Sequence, residues 1–442
     1  MRHFRLIFSE YLRLPAQVRV LCFGSFVNRA GSMALPFMTI YIAKGLGYGP
    51  RLATFVLGAV GVGSLGAGLI GGHLADVVGR KRVMLGSLTL GAAVLLLFMT
   101  LRDPMAILLA GAAFGLIYEM FRPAASALLA DLTTPEQRPS GYALMYVADN
   151  LGFSFGLWMG GILASYSYNW LFVGDALTSV LYATIVLVTI RETLIRKADS
   201  LVRESGAPAR EGEVGHGETS EGEAPAEPSS GEVAGSTRNA IPLADALARI
   251  IRDRTFILFC AATFCFGVVY MQSVSVMSLH LKDIGFSERD YGNLIALNGI
   301  QIVLLQFPVT AFLRRFSRGW VIVSATLVTA VGFGLMAAAR NIPEFAGTVV
   351  IWTFGEIMHA SVALAIVSEL APPALRGRYM GVFFMTWALA RTLGYPVGGQ
   401  VFAAWGADAV WFGCCGLALV AAALYATIQS HLTRQTPGPS PP

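Results

Sequence analysis

The sequence predicts an all-α membrane protein with twelve transmembrane helices arranged as two parallel repeats of six. Three observations predict this fold class. The 442 residues are 55% hydrophobic and only 13% charged, which is far more apolar than a soluble chain needs. The apolar stretches are long enough to cross a hydrocarbon layer of about 30 Å and are apolar on all sides. Finally, the second half of the chain repeats residue types of the first half at a constant spacing.

Twelve windows are long and apolar enough to be membrane spans. The first six lie at residues 18–43, 51–75, 83–101, 104–130, 140–164 and 168–190. The second six lie at residues 255–281, 289–313, 319–338, 343–370, 376–403 and 406–428. If both termini are cytoplasmic, most Lys and Arg residues of the short loops lie on the cytoplasmic side. This orientation is favoured because Lys and Arg resist translocation. We therefore expect cytoplasmic N- and C-termini in a multi-pass protein of the bacterial inner (plasma) membrane.

A polar segment at residues 191–254 divides the chain. Its centre is rich in Gly, Glu, Ser and Pro and almost free of large apolar residues, so it cannot bury a core. Its end, residues 242–254, places leucines and isoleucines on one helical face and arginines on another, which is typical of a helix on the membrane surface. We predict a six-helix bundle, a mostly disordered cytoplasmic linker, a second bundle and a tail, at residues 1–190, 191–254, 255–430 and 431–442.

The two halves match without a gap when residue numbers differ by 238. The matching pairs are Cys22 with Cys260, Gly47 with Gly285, Asp131 with Glu369, Pro135 with Pro373, Arg138 with Arg376, Gly156 with Gly394, Gly160 with Gly398 and Gly161 with Gly399. Six is an even number of spans, so both halves enter the membrane in the same orientation. A parallel repeat of this kind occurs in transporters that rock two bundles about a site near the midplane.

A short loop after the second span combines an acid, a glycine and basic residues. Asp76, Gly79 and Arg80 lie in the sequence GGHLADVVGRKR, residues 71–82. In so short a turn the acid can cap a helix N-terminus and the glycine permits a tight bend. The sequence resembles the signature loop of the major facilitator superfamily. This resemblance implies that Asp76 lies against the start of the eleventh span and that Arg80 pairs with Asp131, which together latch the outward-open state.

The corresponding loop of the second half is degenerate. Arg314 and Ser317 stand where Asp76 and Gly79 stand in the first half. Arg318 and Glu369 still occupy the positions of Arg80 and Asp131. We expect one full latch and one partial latch, and the alternative is that these charges only set the topology.

Small residues on the fifth span also resemble a motif of this superfamily. A four-residue spacing puts glycines on one helix face, so that another backbone can approach, and these are Gly152, Gly156, Gly160 and Gly161. The pattern resembles the antiporter motif of the drug:proton antiporter branch, with Leu157 in place of its proline. The run FRPAA, residues 121–125, is similar to multidrug-resistance members of that branch. Ordinary close packing of helices is the equal alternative.

Charged side chains inside the spans are the candidate site residues, because a central charge costs about 2.5–3.5 kcal/mol on insertion scales and must face the interior. The candidates for proton coupling are Asp149 first, then Glu119, with Glu356 as the rival. The candidates for substrate binding or the cavity wall are Arg29, Arg122, His359 and Arg391. We expect Asp149 to hold Arg122 or Arg29, and Glu356 to pair with Arg391. Asp175 is interpreted as a helix N-terminal acid near the outer start of the sixth span.

These patterns predict a secondary active transporter that exports a small amphipathic or drug-like compound in exchange for protons and acts as a monomer in the lipid bilayer. One alternative is an importer or facilitator of a small organic anion, which the arginines would attract. A remote alternative is a non-transporting membrane sensor or scaffold. No enzyme motif is present. The five cysteines lack metal-ligand spacing, so no metal or cofactor is expected. The dispersed basic residues argue against nucleic acid as a partner.

Deleting residues 212–236 should leave transport close to the wild-type rate, because a spacer need only cover the distance between the two halves. Transport by the purified deletion variant in liposomes, beside the full-length protein, measures this. A Gly-Ser segment of equal length in the same place is the matched control. Loss of transport in both variants would contradict a spacer role.

Overall fold

The computed structural model describes residues 14–134, 137–190, 192, 243–372 and 375–433, and within them it contains helices and no strand. The centre of the predicted linker and residues 434–442 lie outside the described residues. A π-helical turn, Tyr41–Gly45, follows the second helix. The α-helices are α1 (Ala16–Gly31), α2 (Ala34–Ile40), α3 (Gly49–Val77), α4 (Arg80–Phe98), α5 (Pro104–Glu119), α6 (Phe121–Leu132), α7 (Arg138–Tyr166), α8 (Asn169–Thr189), α9 (Leu243–Arg252), α10 (Arg254–Met271), α11 (Val276–Asp283), α12 (Glu288–Leu313), α13 (Arg318–Leu335), α14 (Ile342–Leu370) and α15 (Arg376–Thr433).

Long apolar helices dominate the structure. In the described ranges, nine helical segments are long and apolar enough to cross a membrane. Helix α15 is one continuous run of 58 residues, but Gly406 inside it has φ 81° and ψ −177°, which is not helical. Glycine adopts this conformation easily because it has no Cβ. The break coincides with the predicted boundary between the eleventh and twelfth spans. The described part of the chain is all-helical and has the long apolar helices of a membrane protein.

The first span of each half is interrupted, although the sequence predicted unbroken helices there. Two residues separate α1 from α2, and four separate α10 from α11. In the first break, the Ser32 hydroxyl donates to the carbonyl of Asn28 at 3.0 Å. In the second, the Ser275 hydroxyl donates to the carbonyl of Met271 at 3.1 Å. Serine side chains compete with backbone donors for such carbonyls, so both interruptions have a local cause in the sequence.

The internal repeat is visible in the helices themselves. The starts of α1 and α10, of α4 and α13, of α5 and α14, and of α7 and α15 each differ by 238 in residue number. Gly47 and Gly285, also 238 apart, have φ values of 77° and 93°, which favour glycine. We call α1–α8 the N-half and α10–α15 the C-half. The exact bundle boundaries, at residues 190 and 255, stay a prediction.

The halves meet first along α7 and α12. A Cβ built on Gly292 would lie 2.9 Å from the Cα of Gly161. Two turns further along α12, a Cβ on Gly299 would lie 2.9 Å from the Cβ of Ser154. Real Cβ atoms do not come this close, so the helices can touch only because these positions are glycines. We call this contact the first seam.

A second seam joins α3 to α15. A Cβ on Gly61 would lie 2.8 Å from the Cα of Thr392, and one on Gly399 would overlap the Thr54 side chain. Each of these four residues is 238 positions away from a residue of the first seam. The two seams are therefore equivalent contacts of the internal repeat.

Both seams lie at the end of the molecule where α3 and α12 begin. At the same end, Lys44 Nζ of the N-half is 2.5 Å from Asp283 Oδ1 of the C-half. The Tyr168 hydroxyl of the N-half donates to Glu288 Oε1 of the C-half, also at 2.5 Å. The halves are thus closed against each other at this end by backbone packing and by polar contacts.

Gly115→Ala should destabilise the N-half by about 1–3 kcal/mol, the usual cost of overpacking. A Cβ on Gly115 of α5 would overlap the carbonyl oxygen of Val60 on α3. Thermal unfolding in detergent measures the effect. Gly347→Ala is the matched control on α14, because its Cβ would meet nothing within 4 Å. An unchanged melting temperature in Gly115→Ala would contradict the close approach of α3 and α5.

Candidate functional site

A cavity of about 410 Å³ lies between the halves. Its wall comes from α1, α2, α3, α5, α6, α7 and α8 of the N-half and from α10, α12, α14 and α15 of the C-half. Pockets for small organic molecules have volumes of about 300–1,000 Å³. Charged side chains stand in this largely apolar wall, and they are Arg29, Glu119, Arg122, Asp149, Asp175, Glu356 and Arg391. Six of the seven cavity and coupling candidates named from the sequence therefore line one cavity.

Glu119 connects the two halves across this cavity. Its Oε2 is 2.9 Å from Arg122 Nε, three residues further along the chain. Its Oε1 is 3.4 Å from a terminal nitrogen of Arg391, on α15 of the C-half. The prediction that Arg391 pairs with Glu356 is wrong, because the guanidinium extends to the N-half instead. One carboxylate thus serves two guanidinium groups.

Glu356 is held by an amide. Asn298 Nδ2 on α12 donates to Glu356 Oε2 at 2.8 Å and to the hydroxyl of Thr353 at 3.0 Å. Tyr270 and Tyr146 line the cavity beside this carboxyl group. Asn298 is not among the site residues predicted from the sequence. A buried amide in an apolar span was the available signal, because polar groups at that depth need partners.

Asp149 accepts a hydrogen bond from the Ser25 hydroxyl on α1. Its expected partner Arg122 pairs with Glu119, so that part of the prediction is wrong. Arg29, the other expected partner, is close enough for electrostatic attraction to Asp149 and Asp175. In the described part of the chain, however, Arg29 has no acid within 4.0 Å and its Nε has no hydrogen-bond partner.

Asp175 lies in the cavity wall and not at a helix start. It is well inside α8, its side chain is only 2% exposed, and Oδ2 accepts a hydrogen bond from the Ala34 N–H at 3.3 Å. The interpretation as an N-terminal acid of its own helix is therefore wrong. The predicted sixth span began at residue 168, and an acid seven residues later is too deep to cap that helix.

His359 lies outside the cavity, so its prediction as a cavity residue is wrong. It is 2% exposed, and its ring stacks on Phe266 with centroids 4.1 Å apart and planes 5° from parallel. Its Nε2 is 3.1 Å from the Tyr425 hydroxyl. Three residues along an α-helix turn a side chain about 60° away from Glu356. This rotation points the imidazole at α10 and α15 and makes it a packing residue.

The predicted loop pairs are brought together. Arg80 forms an ion pair with Asp131, and Arg318 forms the equivalent ion pair with Glu369. Arg80 begins α4 and Asp131 lies near the end of α6. Arg318 begins α13 and Glu369 lies near the end of α14, so each pair stays within its own half. The Asp76 side chain lies outside the described residues, so its contact with the eleventh span stays a prediction.

Gly79 makes room for an acid that sequence analysis assigned to the linker. Its φ is 114°, and a Cβ there would lie 2.6 Å from a carboxylate oxygen of Glu192. Glu192 accepts hydrogen bonds from the backbone N–H groups of Arg80 at 3.1 Å and Arg82 at 3.3 Å. It therefore caps the N-terminus of α4. Glu192 lies just after the end of α8, and this contact is not predicted from the sequence. The capping role expected of Asp76 stays a prediction.

A charged cavity between two equivalent helical halves is the architecture of a membrane transporter. The family model described as Major Facilitator Superfamily matches residues 21–282 and 258–441. The chain belongs to the major facilitator superfamily, as the signature loop indicated.

The relatives have several different activities in their names. A Na(+), Li(+), K(+)/H(+) antiporter of Planococcus maritimus is 25% identical, over 83% of this chain and 85% of that protein. The multidrug resistance protein MdtH of Cronobacter sakazakii is 22% identical, over 84% of this chain and 82% of that protein. Among solved structures, the peptide transporter POT in complex with sulfate has a TM-score of 0.70 and 18% identity, covering 96% of both chains. The nucleoside transporter NupG has a TM-score of 0.73 and 17% identity, covering 94% of this chain and 99% of its own. These likenesses establish the fold and leave the substrate open.

Glu119→Gln should lower the melting temperature more than Arg391→Gln. The first change leaves two guanidinium groups without their carboxylate, whereas the second leaves Glu119 paired with Arg122. The double variant should be more stable than the two single effects added, with a coupling energy of about 0.5–3 kcal/mol. Thermal unfolding in detergent measures all three variants. Arg340→Gln is the control for the cycle, since this arginine lies in a distant loop and should combine additively with Glu119→Gln. Additivity of Glu119→Gln with Arg391→Gln would contradict the contact between the halves.

Proposed function

We propose that this chain is a proton-coupled secondary transporter that exports a small amphipathic or drug-like compound by alternating access. The observation that carries the proposal is a cavity with several carboxyl groups between two equivalent halves that are closed against each other at one end. A proton can bind such a carboxyl group from one side of the membrane and leave to the other when the halves rearrange. The multidrug and antiporter names among the relatives support export and exchange.

The proposed topology has twelve crossings. In it, α1 with α2 forms the first span, α7 the fifth, and α15 divides at Gly406 into the eleventh and twelfth, with both termini in the cytoplasm of a bacterial cell. The seams then lie at the outer face, and the structure corresponds to an inward-facing state of a monomer. The ion pairs of Arg80 and Arg318 lie at the cytoplasmic end, where they and Asp76 are proposed to act as the latch.

The charge balance of the cavity favours a substrate that is neutral or positively charged. Arg122 and Arg391 are occupied by Glu119. Arg29 is then the remaining guanidinium for the other three acids of the wall, which are Asp149, Asp175 and Glu356. Protons and amphipathic cations both fit such an excess of carboxyl groups. We propose Asp149 as the first coupling acid, Glu119 as the second and Glu356 as the rival.

Arg29 supports the second candidate function. Because this cavity guanidinium has no acid within 4.0 Å in the described residues, a small organic anion could bind it. An importer or facilitator of such an anion is therefore the alternative.

Reconstitution in liposomes with an imposed pH gradient tests both candidates. Amphipathic cations, neutral drugs and small organic anions are compared, with and without the gradient. Accumulation of cations or neutral drugs on the side opposite to proton flow supports export by exchange. Accumulation of anions together with protons supports the alternative. Absence of transport for all three classes would contradict a transporter of either kind.

Asp149→Asn should abolish transport against a concentration gradient and preserve counterflow exchange, since exchange at equal pH needs no net proton movement. Both are measured with the same liposomes and the same probe. Glu356→Gln is the matched comparison in the C-half. If Asp149→Asn still concentrates the probe and Glu356→Gln does not, coupling belongs to Glu356.

A further inference from the structure

Asp175 combines deep burial with an unsatisfied oxygen. Its side chain is 2% exposed and belongs to the cavity wall. Oδ2 accepts one long hydrogen bond, 3.3 Å, from the Ala34 N–H. No donor among the described residues reaches Oδ1. An ionised carboxylate in such a place loses water without replacement, which costs several kcal/mol, whereas a bound proton removes the charge and with it most of this cost.

The hydrogen bond to Ala34 places Asp175 at the break in the first span. Ala34 is the first residue of α2, and its N–H has no partner within the helix. Beside it, the Ser32 hydroxyl lies 2.7 Å from the Tyr118 hydroxyl, which donates to Asn28 Oδ1 at 3.2 Å. Asn28 Nδ2 donates to Ser179 Oγ at 3.0 Å. This buried network holds both sides of the break against α5 and α8, so a change of charge on Asp175 acts directly on the break.

The charged and titratable groups around Asp175 are one guanidinium, two further acids and a tyrosine. Arg29, on α1, is the cation closest in electrostatic terms. Arg29 itself is attracted by Asp149 on α7 and Glu119 on α5, while Tyr118 of α5 faces both Arg29 and Asp175. Arg29 thus stands among three acids without contacting one. The acid that is ionised at a given moment decides where this guanidinium is drawn.

We propose that Asp175 is a proton-binding residue of the transport cycle, and that its protonation state selects whether Arg29 is drawn to Asp175 or to Asp149 at the break between α1 and α2. This inference rests on the proposed proton coupling. A proton from the aqueous side binds the free Oδ1, leaves to the other side after the halves rearrange, and no other bond forms or breaks. In the ionised state the carboxylate attracts Arg29 and strengthens its hydrogen bond to Ala34. In the protonated state both interactions weaken and Arg29 turns to Asp149.

Asp175→Asn separates proton binding from a purely structural role. Asparagine keeps an oxygen that accepts from the Ala34 N–H, but it cannot bind and release a proton. We expect accumulation of tetraphenylphosphonium, an amphipathic cation, against its gradient to fall by about tenfold, within the 5–150-fold range typical of coupled sites. Counterflow of the same probe should persist. Asp103→Asn is the matched control, because it makes the same substitution at an exposed acid outside the cavity wall, where asparagine can also accept from the Ala106 N–H, and it should keep driven accumulation.

Infrared difference spectra test proton binding without any substrate. The carboxylic C=O band of the wild-type protein should contain a component that disappears as pH rises, that is absent in Asp175→Asn and that changes position in Asp175→Glu. The glutamate variant also serves if the asparagine variant fails to insert, and it should retain pH-driven accumulation.

Two outcomes overturn the inference. One is driven accumulation in Asp175→Asn at the wild-type level with the wild-type pH profile, and the other is the absence of a titrating band assigned to residue 175. Failure of the wild-type protein to respond to any pH gradient would overturn the proposed function. It is distinguished from failure of the inference because the infrared titration does not depend on transport.

Discussion

The close approach of backbones at the two seams is the contact on which the rest of the structure depends. Gly161 against Gly292, and Gly399 against Thr54, let helices of the two halves touch where even a methyl group in place of the glycine hydrogen would separate them. In lipid there is no hydrophobic drive between apolar helices, so such packing has to supply the attraction. It closes one end of the molecule, and the cavity exists because the same helices diverge beyond it.

The charged side chains of the cavity reduce the stability of the folded chain unless they are paired. Seven charged side chains stand in its wall, and each would be costly in an apolar environment without a partner. Glu119 is stabilised by ion pairs with two guanidinium groups, one from each half. Arg29 and Asp175 are only partly stabilised, because each has a buried atom without a hydrogen bond in the described structure. Incomplete satisfaction of this kind leaves a local arrangement that a proton or a ligand can change.

Sequence reasoning identified the helices and most of the cavity charges because both obey simple rules of the membrane. Apolar windows gave the spans, and charges inside them had to face the interior. Partners were predicted less well. Arg391 and Glu119 are 272 positions apart in sequence, and their pairing depends on how the two halves are rotated toward each other. For the same reason, His359 was predicted to line the cavity but packs between helices, whereas Asp175 was predicted to cap a helix but lines the cavity. Rotation of a helix by less than a turn decides whether a side chain faces the cavity or a neighbour, and no periodic pattern records it.

Because the two seams are equivalent, the two halves of the chain contact each other as the subunits of a symmetric dimer do. Residue 161 meets residue 292, the counterpart of Thr54, and residue 399, the counterpart of Gly161, meets Thr54 itself. This is the reciprocity of an isologous interface, in which the same patch appears on both partners. Each half thus contributes both patches of the interface, the glycine of one seam and the opposing residue of the other.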